Sequence, residues 1–201
     1  MGVPVLILGK SGSGKSRSIK GLANVGLIKV IEKELPFRNE LGFITTSNYD
    51  VIKQALLKSQ TKSIVIDDAG YLLTNEYLFS STKGYDKFTD IAVNFYELIR
   101  FITTTVPKDK IVYITMHEDE DNVTGQVKPK TIGKLLDEKV CVEGLFTIVL
   151  RCVDHMFYTN GSGCAKSPED MFETQTIENN LAIVDQKIRE YYNMEETESD
   201  R

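Results

Sequence analysis

The sequence predicts an α/β protein in which helices cover both faces of a mainly parallel, three-layer sheet. Short apolar runs alternate with segments of helical period, and a glycine-rich segment joins the first apolar run to the first helical segment. With 41% hydrophobic and 26% charged residues among 201, the composition is that of a soluble globular protein. We expect one domain over residues 1–193 and a disordered acidic tail over residues 194–201.

The first half of the chain is predicted to contain three strands and three helices. Strands are expected where Val, Ile and Leu run together, at residues 3–8, 27–31 and 64–66. Helices are expected at residues 15–24, 48–58 and 88–102. Asn48 is a good N-cap, and the apolar period of the third helix stops before Pro107. The apolar face of the second helix comprises Val51, Ile52, Ala55 and Leu56.

The second half is predicted to add two strands, a hairpin-like edge and a last helix. The strands are expected at residues 111–115 and 145–150, and the hairpin-like edge at residues 155–163. Ser167 and Pro168 have the chemistry of an N-cap and a first helical position. The last helix is expected at residues 180–192.

Charge and cysteine content favour an intracellular protein. The net charge of −5 lacks the overall basic footprint of a simple nucleic-acid binder. The three cysteines are spaced eleven and twelve residues apart without a CxxC pair, which favours reduced thiols in the cytoplasm. The apolar run at residues 3–8 is too short to span a bilayer, so no membrane contact is expected.

Residues 9–16 match the pattern G-x-x-x-x-G-K-[ST] in full, and we call them the phosphate loop. Its glycines let several backbone N–H groups turn towards a polyphosphate, and the following helix would present its positive end to the same anion. Lys15 is expected to reach the β- and γ-phosphates, and the Ser16 hydroxyl to bind Mg²⁺. The candidate nucleotide-binding residues are Gly9, Lys10, Ser11, Gly12, Ser13, Gly14, Lys15, Ser16 and Arg17.

Two carboxylates follow the strand at residues 64–66, in the arrangement known as Walker B. Asp67 is predicted to hold Mg²⁺ through water. Asp68 is predicted to orient or deprotonate the water that attacks the γ-phosphate. A solvated acid at a strand end, or a helix N-cap, is the alternative interpretation of Asp68.

The strand order and a polar strand end favour one division of such proteins. The strand at residues 27–31 falls between the two motifs along the chain, which is typical of P-loop proteins that insert a strand between them in the sheet. In those proteins a polar residue at the end of a further strand senses the γ-phosphate. Here that strand is the one predicted at residues 111–115, and Thr115 or His117 is the candidate. A surface loop is the alternative for His117. We expect the acids at residues 118–121 to form a solvated turn.

These motifs and several later ones resemble the phage nucleotide-binding P-loop proteins, a family of RecA-like ATPases of tailed phages. The resemblance spans nearly the whole chain. The similar stretches are Leu35-Pro36-Phe37-Arg38, Asp67-Asp68, Gly84-Tyr85-Asp86-Lys87-Phe88, His117-Glu118, Lys130-Thr131-Ile132-Gly133-Lys134-Leu135, Glu143-Gly144-Leu145-Phe146-Thr147 and Ala165-Lys166-Ser167-Pro168. The resemblance implies a RecA-like fold, ATP and Mg²⁺ as ligands, and a role in DNA recombination or replication in the host cytoplasm. It also implies single-stranded DNA, or a single-strand-binding or annealing protein, as partner.

A lysine-rich stretch follows the strand at residues 111–115 and contains Lys128, Lys130 and Lys134. These lysines are predicted to contact a nucleic-acid backbone or to give a lysine finger to a neighbouring subunit's ATP. A solvated loop is the equal alternative. None of the six arginines is recognisable from the sequence as an arginine finger, the residue that one subunit gives to the ATP of its neighbour. A homo-oligomer therefore stays an open expectation. Four aromatic residues after Walker B are candidates for stacking on bases: Tyr71, Tyr77, Phe79 and Tyr85. Packing back on the domain is the more common alternative.

The favoured function is hydrolysis of ATP, with Lys15, Asp68 and His117 as catalytic candidates. A nucleotide or small-molecule kinase is the second interpretation, which the scarcity of arginine disfavours. A binding module that holds ATP as a switch, with negligible hydrolysis, is the third.

Overall fold

The computed structural model describes residues 1–82, 84, 86–121, 123–133 and 135–194, with the backbone alone at residues 137 and 138. Within these ranges the chain forms nine strands and four α-helices, so the α/β prediction is confirmed. Tyr85, Lys134 and residues 195–201, to which sequence predictions were attached, lie outside the described residues. No helix in the described ranges is long and apolar enough to cross a membrane.

The strands and helices alternate through most of the chain. The strands are β1 Val3–Gly9, β2 Val25–Lys29, β3 Phe43–Thr45, β4 Ser63–Asp67, β5 Ile111–Glu120, β6 Val127–Pro129, β7 Ile148–Val153, β8 Met156–Tyr158 and β9 Thr176–Glu178. The α-helices are α1 Tyr49–Lys58, α2 Gly70–Phe79, α3 Asp86–Thr104 and α4 Leu181–Tyr191. Single turns of other helix types lie at Ser16–Gly21 and Val142–Leu145 (3₁₀) and at Leu135–Val140 (π).

The sheet has the strand order β3-β2-β4-β5-β1-β7-β8-β9, with β6 paired to the far end of β5. The first six strands in this order, from β3 at the edge of the sheet to β7, are parallel to one another. The strands β6, β8 and β9 each pair antiparallel with a neighbour. Gly9 lies beside His117 in the register of β1 and β5. The carboxyl ends of β1, β4 and β5 therefore meet at one edge of the sheet.

Two apolar layers enclose the parallel strands, as alternation of side chains along a doubly covered sheet requires. On one face, Leu6 and Ile66 pack with buried residues of α1, α2 and α3. On the other face, Val5 and Tyr113 pack with α4 and with the 3₁₀ turn after the phosphate loop. Helices on both faces were predicted, and the two clusters confirm them.

The segment after the phosphate loop is shorter than predicted. Instead of a helix over residues 15–24, only Ser16–Gly21 forms a 3₁₀ turn, and the backbone is extended at Leu22. The side chain of Asn180, the N-cap of α4, lies against Gly21, so any larger residue there would collide with it. A single 3₁₀ turn has little macrodipole, so the loop's own N–H groups and Lys15 must supply the positive potential.

Pairing at the sheet corrects two further predictions. The strand inserted between β1 and β4 is β5; the strand predicted at residues 27–31 is β2, which lies on the other side of β4. The acids at residues 118–121 do not form a solvated turn, because β5 continues to Glu120 and pairs with β6. Glu118 is buried there, 8% exposed.

Three smaller differences follow from local structure. Ser167 and Pro168 do not open a helix; Pro168 instead starts a turn in which its carbonyl accepts from the N–H of Met171. Asn48 caps α1 as predicted, accepting from two backbone N–H groups, but Val51 is 45% exposed and only Ile52 and Leu56 of that face are buried. The predicted strand at residues 145–150 starts at Ile148, after a 3₁₀ turn.

Candidate functional site

Three neighbouring strands bring the predicted site residues together at the carboxyl edge of the sheet. β1 ends in the phosphate loop, β4 ends at Asp67, and β5 carries Thr115 and His117 through the same edge. Because β5 lies between β1 and β4, its side chains reach both the loop and the acids. The sequence predicted this grouping from motifs that lie up to about a hundred residues apart.

Lys15 is folded back onto the phosphate loop. It is 5% exposed, and its Nζ donates to the carbonyl oxygens of Gly9 at 2.7 Å and Lys10 at 2.9 Å. Burial lowers the pKa of Lys15, while the charges of Asp68 and Asp67 oppose that shift. An ammonium held by neutral carbonyls in a buried site gains strongly when an anion replaces them.

The side chains of Ser16 and Asp67 are in contact, as expected if both help to hold Mg²⁺ beside a phosphate loop. The Ser16 hydroxyl donates to the Asp67 carboxylate, with oxygen–oxygen distances of 3.0 and 3.1 Å. No group of three or more His, Cys, Asp or Glu side chains within the described ranges is arranged to hold a metal ion. Mg²⁺ fits the pair nonetheless, because it keeps several waters and takes its other ligands from substrate phosphates.

Asp67 is held in place by Thr115. The fully buried Thr115 hydroxyl donates to Asp67 Oδ1 at 2.8 Å and accepts the backbone N–H of Asp68 at 2.8 Å. Burial and the charge of Asp68 raise the pKa of Asp67, and the hydrogen bonds from Thr115 and Ser16 oppose the rise. The ionised form of this buried carboxylate therefore depends on the hydrogen bonds that Thr115 and Ser16 donate to it.

Thr115 can be tested apart from any ligand. Thr115→Val keeps the shape but leaves Asp67 Oδ1 and the Asp68 N–H without this partner, so we expect a loss of about 1–3 kcal/mol in the free energy of unfolding. Thr115→Ser keeps the hydroxyl and should stay closer to the wild type. Denaturant unfolding measures both variants; a valine variant as stable as the wild type would contradict the arrangement.

Asp68 has an unusual backbone and is surrounded by basic side chains. Its φ is +58°, in the left-handed region that few residues other than glycine, Asn and Asp adopt, and it is 4% exposed. Lys33 Nζ lies 3.0 Å from Asp68 Oδ2, and His117 Nε2 lies 3.7 Å from Oδ1. Strain of this kind often accompanies a function. Lys33 was not a sequence candidate.

His117 is uncharged near neutral pH. Burial and the neighbouring Lys15 lower its pKa, and the charge of Asp68 only partly offsets them. The contact with Asp68 is therefore not an ion pair, and at 3.7 Å it is longer than a hydrogen bond. The ring packs edge-on against Tyr71, with centroids 6.2 Å apart. His117 thus faces the acids as a neutral, half-buried polar group.

The other flank of the phosphate loop is held by residues that lie outside the motifs recognised in the sequence. The backbone N–H of His155 and the Cys152 thiol both donate to the Ser13 carbonyl at 3.1 Å, and Asn179 donates to the Gly14 carbonyl at 3.0 Å. A Cβ on Gly9 would lie 2.5 Å from the Cys152 carbonyl oxygen, so only glycine fits there. These contacts use carbonyl groups of the loop, and within the loop the Ser13 N–H donates to the Lys10 carbonyl at 3.2 Å.

Of the basic stretch, Lys128 lies on β6 and Lys130 directly after it. The Lys130 N–H donates to the His117 carbonyl at 2.8 Å, which places this exposed lysine beside the site. An open cavity of about 480 Å³ lies here, between α2 and β6, and Tyr71, Thr74, His117 and Lys130 are among the residues that line it. Tyr71 therefore lines a cavity beside the loop rather than an open stacking surface.

The remaining nucleotide-binding candidates differ in exposure. Lys10 is exposed and pairs with Glu120 at 2.8 Å, and Arg17 is exposed on the 3₁₀ turn. Arg151 forms a two-pronged ion pair with the buried Glu118, at 2.8 and 2.9 Å, and so fastens β7 to β5 beside the loop. This pair occupies one of the six arginines of the chain.

These contacts bring a phosphate loop, a serine–aspartate pair and a second buried aspartate into one site. No protein-family model matches the sequence, and no curated protein matches it significantly.

Proposed function

We propose that the protein is a Mg²⁺-dependent ATP-binding protein that hydrolyses ATP at the phosphate loop. The observation that carries this proposal is the contact between Ser16 and Asp67, because it joins the two predicted metal ligands from motifs 51 residues apart in the chain. Lys15, buried beside them, supplies the charge that a triphosphate needs.

The sheet order supports a RecA-like architecture for this domain. One strand, β5, lies between the phosphate-loop strand and the strand that ends in Asp67. That order is typical of the additional-strand division of P-loop proteins, to which the RecA-like ATPases belong. Adenine rather than guanine as the base is proposed from the resemblance to the phage family.

The proposed reaction is displacement at the γ-phosphorus. A water oxygen forms a bond to this phosphorus, the bond to the β–γ bridging oxygen breaks, and ADP leaves with that electron pair. The Asp68 carboxylate orients the water and accepts its proton. Mg²⁺, held by Ser16 and through water by Asp67, would neutralise the charge that develops on the phosphate oxygens.

Lys15 and His117 take separate roles in this proposal. Lys15 exchanges its loop carbonyl partners for phosphate oxygens and stabilises negative charge there. His117 is proposed to sense the γ-phosphate, because both hydrogen-bonding functions of the Thr115 hydroxyl are directed to Asp67 and Asp68. A neutral imidazole can donate one hydrogen bond to a phosphate oxygen without a competing charge.

A small-molecule kinase is the second candidate, and the cavity beside His117 favours it. A space of about 480 Å³ is large enough for a small acceptor, and it opens next to Lys10 and Ser11 of the loop. A turnover assay with ATP and with GTP, read for released phosphate, distinguishes the two functions. ATP-dependent phosphate release without an added acceptor supports hydrolysis; phosphoryl transfer only when an acceptor is supplied supports the kinase.

We further propose that the output of ATP turnover is a contact with single-stranded DNA or with a recombination partner of a phage. The position of Lys128 and Lys130 on and after β6, at the same edge as the phosphate loop, supports this proposal. A lysine finger given to the ATP of a neighbouring subunit would use the same surface. Mass in solution, measured in each nucleotide state, distinguishes a homo-oligomer from a monomer.

Charge reversal tests the DNA contact. In the double variant Lys130→Glu and Lys134→Glu, we expect the stimulation of turnover by single-stranded DNA to disappear, because each lost phosphate contact lowers DNA affinity and reduces its salt dependence by a slope of about 1. The double variant Lys58→Glu and Lys108→Glu, at two exposed lysines outside this stretch, is the charge-matched control. Stimulation that is unchanged in the double variant would contradict a DNA contact at this loop.

A further inference from the structure

We propose that Lys33 is a catalytic residue that exchanges Asp68 for the γ-phosphate when ATP binds, and so frees the Asp68 carboxylate only when the substrate is a triphosphate. This inference rests on the proposed function and extends it. It gives a role to a residue that no motif indicates. In this role the Lys33 ammonium would be a second side-chain cation at the γ-phosphate, in addition to Lys15.

The ion pair between Lys33 and Asp68 joins an exposed side chain to a buried one. The Asp68 side chain is 5% exposed, and its backbone is held by Thr115 and by the end of β4. The Lys33 side chain is 54% exposed and belongs to the stretch without helix or strand that follows β2. When an anion competes for the pair, Lys33 is therefore the partner that moves.

Lys33 also shares its surroundings with the phosphate-binding lysine. Lys33 Nζ and His117 Nε2 lie 3.0 and 3.7 Å from the two Asp68 carboxylate oxygens, and Lys15 lies in the phosphate loop at the same edge of the sheet. Although partial burial disfavours its charge, the hydrogen bond and charge of Asp68 raise the pKa of Lys33, so the side chain is cationic at neutral pH. One ammonium on the Asp68 carboxylate and a second on the carbonyl oxygens of the phosphate loop make a site ready to accept a more highly charged anion.

The ion pair with Lys33 limits what the Asp68 carboxylate can bind in the absence of ATP. The Lys33 ammonium donates a hydrogen bond to Asp68 Oδ2 at 3.0 Å, so this carboxylate oxygen is already occupied and is not free to orient an attacking water. A γ-phosphate that draws Lys33 away frees this oxygen and places the ammonium on the oxygens that gain charge during displacement. ADP lacks the γ-phosphate, so Lys33 returns to Asp68 after the product forms.

The test compares a non-hydrolysable ATP analogue, the β,γ-imido triphosphate, with ADP. Calorimetric titration in Mg²⁺ buffer measures the affinity of each nucleotide for the wild type and for Lys33→Met. We expect the variant to lose about 10- to 100-fold in affinity for the analogue, the typical effect of one charge-assisted hydrogen bond, and less than about 2-fold for ADP. Its rate of ATP hydrolysis should fall as well.

Two further variants control the experiment. Lys33→Arg keeps the positive charge and should restore most of the preference for the triphosphate, whereas Lys58→Met removes a lysine far from the site and should behave as the wild type. If Lys33→Met leaves the ratio of the two affinities unchanged, Lys33 does not move to the γ-phosphate and the inference is wrong. A wild-type protein that binds neither nucleotide overturns the proposed function itself, so the two failures are distinguishable.

Discussion

Replacing Lys15 with methionine is expected to reduce ATP turnover by at least about 100-fold and to weaken Mg²⁺–ATP binding, because one preorganised cation at developing charge is typically worth this much. Methionine fills a similar volume without the ammonium. The Lys15 ammonium donates to the Gly9 and Lys10 carbonyl oxygens, at 2.7 and 2.9 Å. The variant should therefore stay folded, with a thermal unfolding midpoint close to that of the wild type.

Lys10→Met is the matched control for this prediction. Lys10 lies in the same loop, but it is exposed and pairs with Glu120 on the surface, where an ion pair contributes little. We expect it to retain more turnover than Lys15→Met. Phosphate release under saturating ATP measures both variants. If Lys15→Met hydrolyses ATP at the wild-type rate, the phosphate loop is not the reaction site.

Asp68→Asn is expected to lower kcat by about 10²- to 10⁴-fold, the usual contribution of a general base, with nucleotide affinity retained. The amide keeps the size of the side chain but cannot accept the proton of the attacking water. The backbone contact to Thr115 uses the main-chain N–H of residue 68, so this part of the site stays unchanged. Turnover and calorimetric affinity, measured on one preparation, separate the two effects.

Asp67→Asn provides the contrast. Asp67 contacts the Ser16 hydroxyl, so its loss should remove the Mg²⁺ dependence of ATP binding rather than kcat alone. Because the buried Asp67 carboxylate has a raised pKa, the neutral amide should also make the nucleotide-free protein more stable at neutral pH. Equal turnover in Asp68→Asn and the wild type would reject Asp68 as the base.

The motifs of this site were predictable because their chemistry is local in sequence. The phosphate loop is eight contiguous residues, and Asp67 and Asp68 directly follow an apolar run. Each parallel strand delivers such residues to the same edge, so two motifs and an α/β pattern were enough to place them together. The Asn48 cap and the apolar face of α3 were predictable for the same reason, since they depend on periods of three to four residues.

The contacts that complete the site were not predictable, because they depend on which strands become neighbours. Lys33 reaches Asp68 only because β2 lies next to β4, and its sequence context is an ordinary charged loop. Asn179 reaches Gly14 across 165 residues. Glu118 belongs to a run of acids typical of a solvated turn, yet β6 and Arg151 bury it. The amino-acid sequence around these residues contains no motif that would identify them as partners of the site.

The helix predicted at residues 15–24 is replaced by a shorter 3₁₀ turn because of a tertiary contact. Its pattern is compatible with a helix, but the first residues of α4 pack against Gly21 and the backbone is extended at Leu22. Local propensity is a weak prior where a close contact decides the backbone. As a result, the phosphate loop is followed by a short 3₁₀ turn and not by a long helix.

The most direct test of the central claim is a calorimetric titration of the wild type and Lys15→Met with ATP, each with Mg²⁺ and with a chelator. We predict saturable binding of one ATP per chain by the wild type, weakened by chelation, and a large loss of affinity in Lys15→Met. Wild-type protein that binds no ATP in Mg²⁺, or a variant that binds it equally well, would contradict the assignment of this loop as a nucleotide site.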